Sequence, residues 1–153
     1  MRTKILIGML VVSMGCGKSS SKDSAVEGLV ADAKDVVLPQ VRAAIASGKL
    51  EDAPPCSRVL ANLDTLERGG DHAEVVADIR QVCEHDINVA HMKRAIEAAE
   101  VARTAEPDEK VLRECFNGEL TSAVQRLEKA KRVDEPAKAL LARFAVACPG
   151  ETP

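Results

Sequence analysis

Residues 56–83, CSRVLANLDTLERGGDHAEVVADIRQVC, carry the pattern from which the fold is predicted. Apolar side chains recur at helical spacing on both sides of Gly69-Gly70, and this glycine pair predicts the bend of a helical hairpin. Cys56 lies 13 residues before the bend and Cys83 lies 13 residues after it. Equal path lengths place both cysteines at one height on antiparallel helices, within the roughly 7 Å Cα separation that a disulfide needs. The stretch therefore predicts a hairpin closed by a Cys56–Cys83 disulfide.

Cys115 and Cys148 predict a second hairpin of the same design. Its bend lies near Val133, so that Cys115 precedes the bend by 18 residues and Cys148 follows it by 15. The difference corresponds to about 4.5 Å along a helix axis, which a break in the first helix can absorb. The sequence therefore also predicts a Cys115–Cys148 disulfide. Each bridge closes a loop of roughly thirty residues, for which chain entropy gives about 3–4 kcal/mol of stabilisation.

The four cysteines that follow Cys16 admit other interpretations. They can pair in three ways, and thiolates also serve in zinc sites and in redox centres. Those sites usually bring two cysteines together as Cys-x-x-Cys, and this chain has no such pair. We therefore expect structural disulfides, which form in an oxidising compartment.

The rest of the chain is also predicted to be helical. It is rich in Ala, Leu, Val, Glu, Lys and Arg, which favour or tolerate a helix, and its apolar residues recur at helical spacing. The sequence predicts an all-α domain over residues 25–150 with four to six helices. These helices form either a bundle or a short array of antiparallel hairpins, with two internal disulfides.

Local signals predict where the first helix begins and ends. Asp23 or Ser24 can cap its start. Pro39 is expected to kink or split the helix near Leu38, because proline cannot donate the helical hydrogen bond. Gly48 is a natural stop.

The later helices have comparable signals. A Pro-Pro pair at 54–55 opens the first helix of the hairpin, and Asp71 with Glu74 predicts a capping box at the start of the second. The polar residues 84–86 interrupt the apolar stripe, so the helix either runs through them or restarts there. Asp134 predicts the cap of the last helix.

Composition argues against one class of partner. The chain has 21 Lys and Arg residues against 24 Asp and Glu residues, and it contains no Trp or Tyr. Its aromatic side chains are Phe116 and Phe144. Duplex binding needs a positive face, and single-stranded nucleic acid needs stacking platforms. We therefore expect no nucleic-acid binding.

The first residues have a different pattern. Arg2 and Lys4 precede an apolar run over residues 5–14, which is followed by Gly15 and Cys16. As a helix the run would span about 15 Å, half of the hydrocarbon core of a bilayer. It is therefore too short for a membrane span and suits a secretory signal. We expect residues 1–15 to be a signal peptide.

Ser13-Met14-Gly15-Cys16 resembles the lipobox of bacterial lipoprotein precursors. Gly15 and Cys16 match that pattern, and Ser13 stands where a leucine-like residue is usual. The resemblance implies that signal peptidase II cleaves before Cys16 and that this cysteine is lipidated. Several acyl chains on one residue give stable membrane anchoring. The alternatives are cleavage elsewhere by the ordinary signal peptidase, or a cytosolic protein.

Gly17 bears on the destination of such a lipoprotein. In that class an Asp directly after the cysteine tends to retain the protein in the inner membrane. The resemblance therefore implies the outer membrane in a cell that has two membranes, and the outer surface in a single-membrane bacterium. Residues 16–24 are polar and form the lipidated cysteine and a flexible tether.

Three residues near Cys83 are candidates for a metal or ligand site, namely His85, His91 and Met92. Metal ligands on a helix are usually three or four residues apart, so that they share a face. The two histidines are six residues apart. Ordinary surface or boundary positions are therefore the simpler interpretation.

Two charged sets are further candidates. An acidic set either binds a cation or forms a solvated face: Glu97, Glu100, Glu106, Asp108 and Glu109. A basic set either complements a helix dipole or contacts acidic lipid headgroups or a partner: Arg126, Lys129, Lys131 and Arg132.

No nucleophile, base and acid can be assembled from neighbouring residues, so we predict no catalytic residue, no cofactor and no enzymatic activity. The expected function is a non-enzymatic binding or interaction module in the cell envelope, held to a membrane by its lipid and serving an envelope protein partner. The alternative is an envelope protein that handles a ligand or metal through His85, His91 and Met92. A small envelope enzyme is a third interpretation.

Overall fold

The structure, a computed structural model, describes residues 21–105, 115 and 118–150. Within these ranges it contains six helices and no strand. The all-α prediction and the predicted number of helices are therefore confirmed. The predicted signal peptide, Cys16 and the first part of the predicted tether lie outside the described residues, as does Phe116.

The helices are numbered in chain order. They are α1 (residues 21–47), α2 (Ser57–Leu60), α3 (Leu63–Gly69), α4 (residues 73–105), α5 (Gly118–Lys129) and α6 (Glu135–Ala147). α1 and α4 each contain a π-helical turn, Asp32–Val37 in α1 and Arg80–Asp86 in α4. One turn of 3-10 helix, Leu50–Asp52, lies between α1 and α2.

α1 begins at Ser21, earlier than the start predicted at Asp23 or Ser24. Residues 21–24, which the sequence assigned to the tether, are therefore helical.

α1 also continues through Pro39. The proline ring clashes with the carbonyl four residues earlier, and proline has no N–H to donate. The π-helical turn directly before it widens the backbone, and Leu38 N–H donates to Ala33 O, five residues back. The interruption predicted near Leu38 thus takes the form of a π-helical turn, and the helix is not split. Gly48 ends α1 with φ of 73°, as predicted.

The helix predicted to run from residues 54–55 to Gly69 is divided into α2 and α3. The division falls at Ala61 and Asn62, and Asn62 Nδ2 donates to Arg58 O at 2.9 Å. A short amide side chain competes in this way with the backbone for hydrogen bonds, so it favours a turn over a continuous helix. Apolar periodicity alone did not reveal this break.

α4 is one long helix that runs through the polar residues 84–86, which settles the alternative that the sequence left open. Its N-cap is His72 and no side chain caps it, so the predicted capping box of Asp71 and Glu74 is wrong. At α6 the prediction is confirmed, because Asp134 Oδ1 accepts a hydrogen bond from Ala137 N at 3.1 Å.

The hydrophobic core is divided into two clusters that share α4. The first joins α1, α3 and the N-terminal half of α4, and includes Val37, Leu38, Val41, Leu66, Ile79 and Val82. The second joins the C-terminal half of α4 to α5 and α6, and includes Met92, Ile96, Leu120, Leu127 and Phe144. The helices therefore form two adjoining layers along α4.

Both predicted disulfides are present. The Cα atoms are 5.5 Å apart in Cys56–Cys83 and 5.7 Å apart in Cys115–Cys148. The first bridge ties the segment before α2 to α4, and the second ties residue 115 to the end of α6. Each bridge therefore closes one of the two layers.

Loss of one bridge should destabilise the protein by an amount set mainly by loop entropy. Because Cys56–Cys83 spans 27 residues, the double variant Cys56→Ala/Cys83→Ala should lose about 3–4 kcal/mol of unfolding free energy in a urea titration. Cys115→Ala/Cys148→Ala is the matched variant, since its loop of 33 residues predicts a loss within about 0.5 kcal/mol of the first. Unchanged stability in either double variant would contradict a structural role for that bridge.

Candidate ligand-binding cleft

A cleft lies between the segment around α2, the middle of α4 and the end of α5. It consists of two adjoining cavities of about 310 and 460 Å³. We call the smaller one the proline-side cavity, because Pro54 and Pro55 line it, and the larger one the lysine-side cavity, because Lys129 and Lys131 line it. Leu60, Cys83, Asn88 and Arg126 line both. The two cavities therefore form one cleft, which runs past the Cys56–Cys83 disulfide.

Asn88 is the polar residue at the centre of the cleft. Its side chain is 1% exposed, and it is the one buried polar residue in the part of the chain that the structure describes. Its Nδ2 donates to Glu84 O at 2.9 Å and lies 3.5 Å from Cys83 O, so the amide is anchored to the π-helical turn of α4. No protein group among the described residues donates a hydrogen bond to its Oδ1. A buried acceptor without a donor costs about 1–3 kcal/mol, so this position is specialised rather than a stabilising core contact.

Basic side chains line the lysine side of the cleft. Arg126, Lys129 and Lys131 are exposed, and none of them forms an ion pair within the described residues. The acidic residue in this lining is Glu84, and its carboxylate lies 3.4 Å from Arg80. The three free cations are therefore not neutralised locally, and the end of α5 presents net positive charge to the cleft.

Lys131 holds an unusual backbone conformation. Its φ is 54°, and among the described residues it is the one non-glycine residue with positive φ. The α5 terminus is a Schellman motif, because Lys131 N donates to Glu128 O and Arg132 N donates to Leu127 O, each at 2.9 Å. Glycine is the usual residue at this position, since a side chain there costs about 1 kcal/mol. This chain has Lys131 at that position instead, and it lines the lysine-side cavity.

The proline-side cavity is mainly apolar. Pro54, Leu60 and Ile87 line it, together with the disulfide. Ser57 and His91 line it as well, but no hydrogen bond joins them, and His91 Nδ1 is bonded to Glu119 instead. The cleft thus has a mainly apolar end, the buried Asn88 amide and Arg126 in the lining of both cavities, and an end to which Lys129 and Lys131 add further positive charge.

The three residues predicted as a possible metal or ligand site do not come together. Met92 is 0% exposed in the second core cluster. His85 lies between two carboxylates, with Nδ1 2.7 Å from Asp86 Oδ1 and Nε2 2.9 Å from Asp134 Oδ2. His91 bonds to Glu119. In residues 21–105, 115 and 118–150, no group of three His, Cys, Asp or Glu side chains is suited to hold a metal ion.

Two members of the acidic set form ordinary ion pairs on α4. The guanidinium of Arg143 donates two hydrogen bonds to the Glu100 carboxylate, from Nε at 3.1 Å and from Nη2 at 2.7 Å. This contact lowers the pKa of Glu100. Glu97 lies 3.8 Å from Lys93 Nζ. The solvated-face interpretation fits both residues. Glu106, Asp108 and Glu109 lie outside the described residues.

Glu119 joins the two layers of the structure. Arg94 bridges it to Glu51, with distances of 2.5 Å to Glu119 Oε1 and 2.9 Å to Glu51 Oε2. Partial burial raises the pKa of Glu119, but the hydrogen bonds from His91 and Arg94 outweigh it and lower the pKa below the usual 4.5. The network therefore holds Glu119 as a carboxylate and fixes α5 against α4.

No protein-family model, no curated protein sequence and no solved structure matches this chain. Sequence reasoning named the basic residues of the cleft but missed Asn88, which stands within the apolar stripe of α4 without a distinguishing pattern around it.

The contribution of the Glu119 network to stability should be visible in how the unfolding free energies of Glu119→Gln and wild type differ with pH. Because the folded pKa is lowered, the stabilisation is present above pH 4.5 and is lost as the pH falls through the folded pKa. The variant should be about 1 kcal/mol less stable than wild type at pH 7 in urea unfolding, and the difference should shrink toward zero in acid.

Glu97→Gln is the matched control, because it removes an exposed carboxylate with one long contact, to Lys93. Its effect at pH 7 should be below about 0.5 kcal/mol. Equal effects of the two substitutions, or a Glu119→Gln effect that persists in strong acid, would show that the network has no special role.

Proposed function

We propose that the protein is an exported, lipid-anchored, non-enzymatic binding module of the cell envelope, and that the cleft is its binding site. The observation that carries the proposal is Asn88, a buried amide whose Oδ1 has no donor among the described residues. It lines two adjoining cavities, and three cations in their lining form no ion pair within the described residues. Groups without protein partners in a concave site are the groups that a ligand can engage.

The disulfides support export. Cys83, Cys115 and Cys148 are buried and bridged, and structural disulfides form in compartments outside the reducing cytosol. The lipobox-like segment at Ser13–Cys16 is the proposed signal for export and lipidation. Gly17 then favours the outer membrane where two membranes exist. No described helix has the length and apolar character needed to cross a bilayer.

The cleft chemistry supports binding over catalysis. Its groups without partners are an amide oxygen and three cations, which hold ligands by hydrogen bonds and charge. Ser57 and His91 share a cavity without a hydrogen bond between them. The alternative of a metal-handling protein gains no support from the geometry, because His85, His91 and Met92 make separate contacts.

Cys16→Ala should release the protein from the membrane fraction of the cells that produce it. Without the thiol there is no lipid attachment, and a ten-residue apolar run is about half the length that spans a bilayer. The measurement is an immunoblot of separated inner-membrane, outer-membrane and soluble fractions.

Gly17→Asp is the matched variant for that experiment. This substitution keeps the lipid, so the protein should stay membrane-bound. In cells with two membranes, the protein should be found in the inner membrane instead of the outer one. If the Cys16→Ala protein remains in the same membrane fraction as wild type, the proposed anchor is wrong.

A photo-crosslinking side chain should detect occupancy of the cleft in intact cells. p-Benzoylphenylalanine at position 129, which lines the lysine-side cavity, should give a light-dependent adduct that intact-mass analysis of the purified protein resolves. Position 138 is the control, because Lys138 is an exposed lysine on α6 that does not line the cleft. The absence of an adduct at position 129, or the same adduct at both positions, would contradict a binding function for this cleft.

A further inference from the structure

We infer that the cleft takes an amphipathic anion: a molecule with an apolar body, one negatively charged group and an N–H or O–H donor between them. This inference rests on the proposed binding function and specifies its ligand class. Three features of the cleft carry it, and their order along the cleft fixes the orientation of the ligand.

The charge of the ligand follows from the lysine side. Arg126, Lys129 and Lys131 face one cavity without ion-pair partners, and the one carboxylate in the lining, Glu84, already pairs with Arg80. A negative group placed there meets uncompensated cations. Arginine offers planar, paired N–H donors to a carboxylate, phosphate or sulfonate, and lysine adds a mobile point charge.

The donor follows from Asn88. Its Nδ2 is committed to Glu84 O, which leaves the Oδ1 acceptor as the group without a partner. An acceptor is satisfied by an N–H or O–H donor, so an anion that has no such donor, for example sulfate, does not complement the whole site. Because Asn88 lines both cavities, the donor lies between the two ends of the ligand.

The apolar body follows from the proline side. Pro54, Leu60, Ile87 and the Cys56–Cys83 disulfide line it with apolar atoms, and Arg126, which lines both cavities, is the one arginine or lysine there. The cavities of about 310 and 460 Å³ are in the range of small-molecule sites. The ligand therefore directs its apolar end toward Pro54 and its anion toward Lys131.

Lys131 gives the inference independent support. Its left-handed backbone would be relaxed by glycine, yet the chain has a lysine there whose side chain lines the cavity. Residues held in an unfavourable backbone conformation are found more often at functional sites than elsewhere. Lys131→Gly should therefore stabilise the fold and weaken binding, a combination that a purely structural role would not produce.

The test uses 8-anilino-1-naphthalenesulfonate, which has an apolar ring system, a secondary amine N–H and a sulfonate. N-phenyl-1-naphthylamine is its matched neutral probe, because it keeps the rings and the N–H and lacks the sulfonate. The protein is the full-length chain carrying Cys16→Ala with both disulfides formed. The apolar leader is common to all variants, so their differences report the cleft.

Arg126→Gln and Lys131→Gly should each weaken sulfonate-probe binding about fivefold in a fluorescence titration and change the neutral probe by less than about twofold. Arg68→Gln, which removes an exposed arginine that does not line the cleft, should change neither probe. The midpoint of urea unfolding should rise for Lys131→Gly. The side-chain amide signals of Asn88 in ¹⁵N NMR should shift with either probe, which locates the binding independently of any substitution.

Equal binding of the two probes, or sulfonate-probe binding that is insensitive to Arg126→Gln and Lys131→Gly, would overturn the inferred ligand class. A position-129 adduct in cells would at the same time leave the binding function standing, so the two failures are distinguishable. Phosphatidylglycerol and phosphatidylcholine vesicles separate the sources of the anion. Displacement of the probe by the anionic vesicles alone assigns a membrane lipid, and displacement by monomeric dodecyl phosphate alone assigns a soluble amphiphile.

Discussion

Helix α4 is the element that both halves of the hydrophobic core share. Its N-terminal half packs in the first cluster, its C-terminal half packs in the second, and Cys83 covalently ties its middle to the segment before α2. A sequence with two aromatic residues and many alanines buries little area per residue, so separate helices would gain little from packing. A long shared helix and two disulfides compensate, because each covalent loop lowers the entropy of the unfolded chain.

The π-helical turn of α4 connects this architecture to the cleft. It spans residues 80–86 and includes Cys83, and Asn88 follows it within one turn. The Asn88 amide donates to Glu84 O, which belongs to this turn, while no described group donates to its buried Oδ1. π-Helical turns inside α-helices are often found at functional sites, since they expose backbone groups that an α-helix would pair. The disulfide beside it restrains the segment that bears this local irregularity.

The elements that could be predicted from the sequence are those governed by local rules. Apolar periodicity predicted the helices, and equal spacing about Gly69-Gly70 predicted the Cys56–Cys83 pairing. The break between α2 and α3 at Asn62 and the absence of a side-chain cap at Asp71 were not predicted. Each depends on which of several possible hydrogen bonds forms, and the spacing of apolar residues carries no information about that. Asn88 and Glu119 gave no sequence signal, since their partners are determined by how α4 packs against its neighbours. The basic residues of the cleft were visible only as a charged helix end.

The cleft contains the positions at which local stability is not maximised. A leucine would suit an apolar stripe better than Asn88, and a glycine would suit the left-handed end of α5 better than Lys131. Both residues line the lysine-side cavity, where they contribute an acceptor and a cation. Two unfavourable choices in one cavity are unexpected if each were incidental, because the other buried residues of the described chain are hydrophobic. A ligand that engages both groups would recover the free energy that each sacrifices in the unliganded fold, which makes binding and stability linked quantities in this protein.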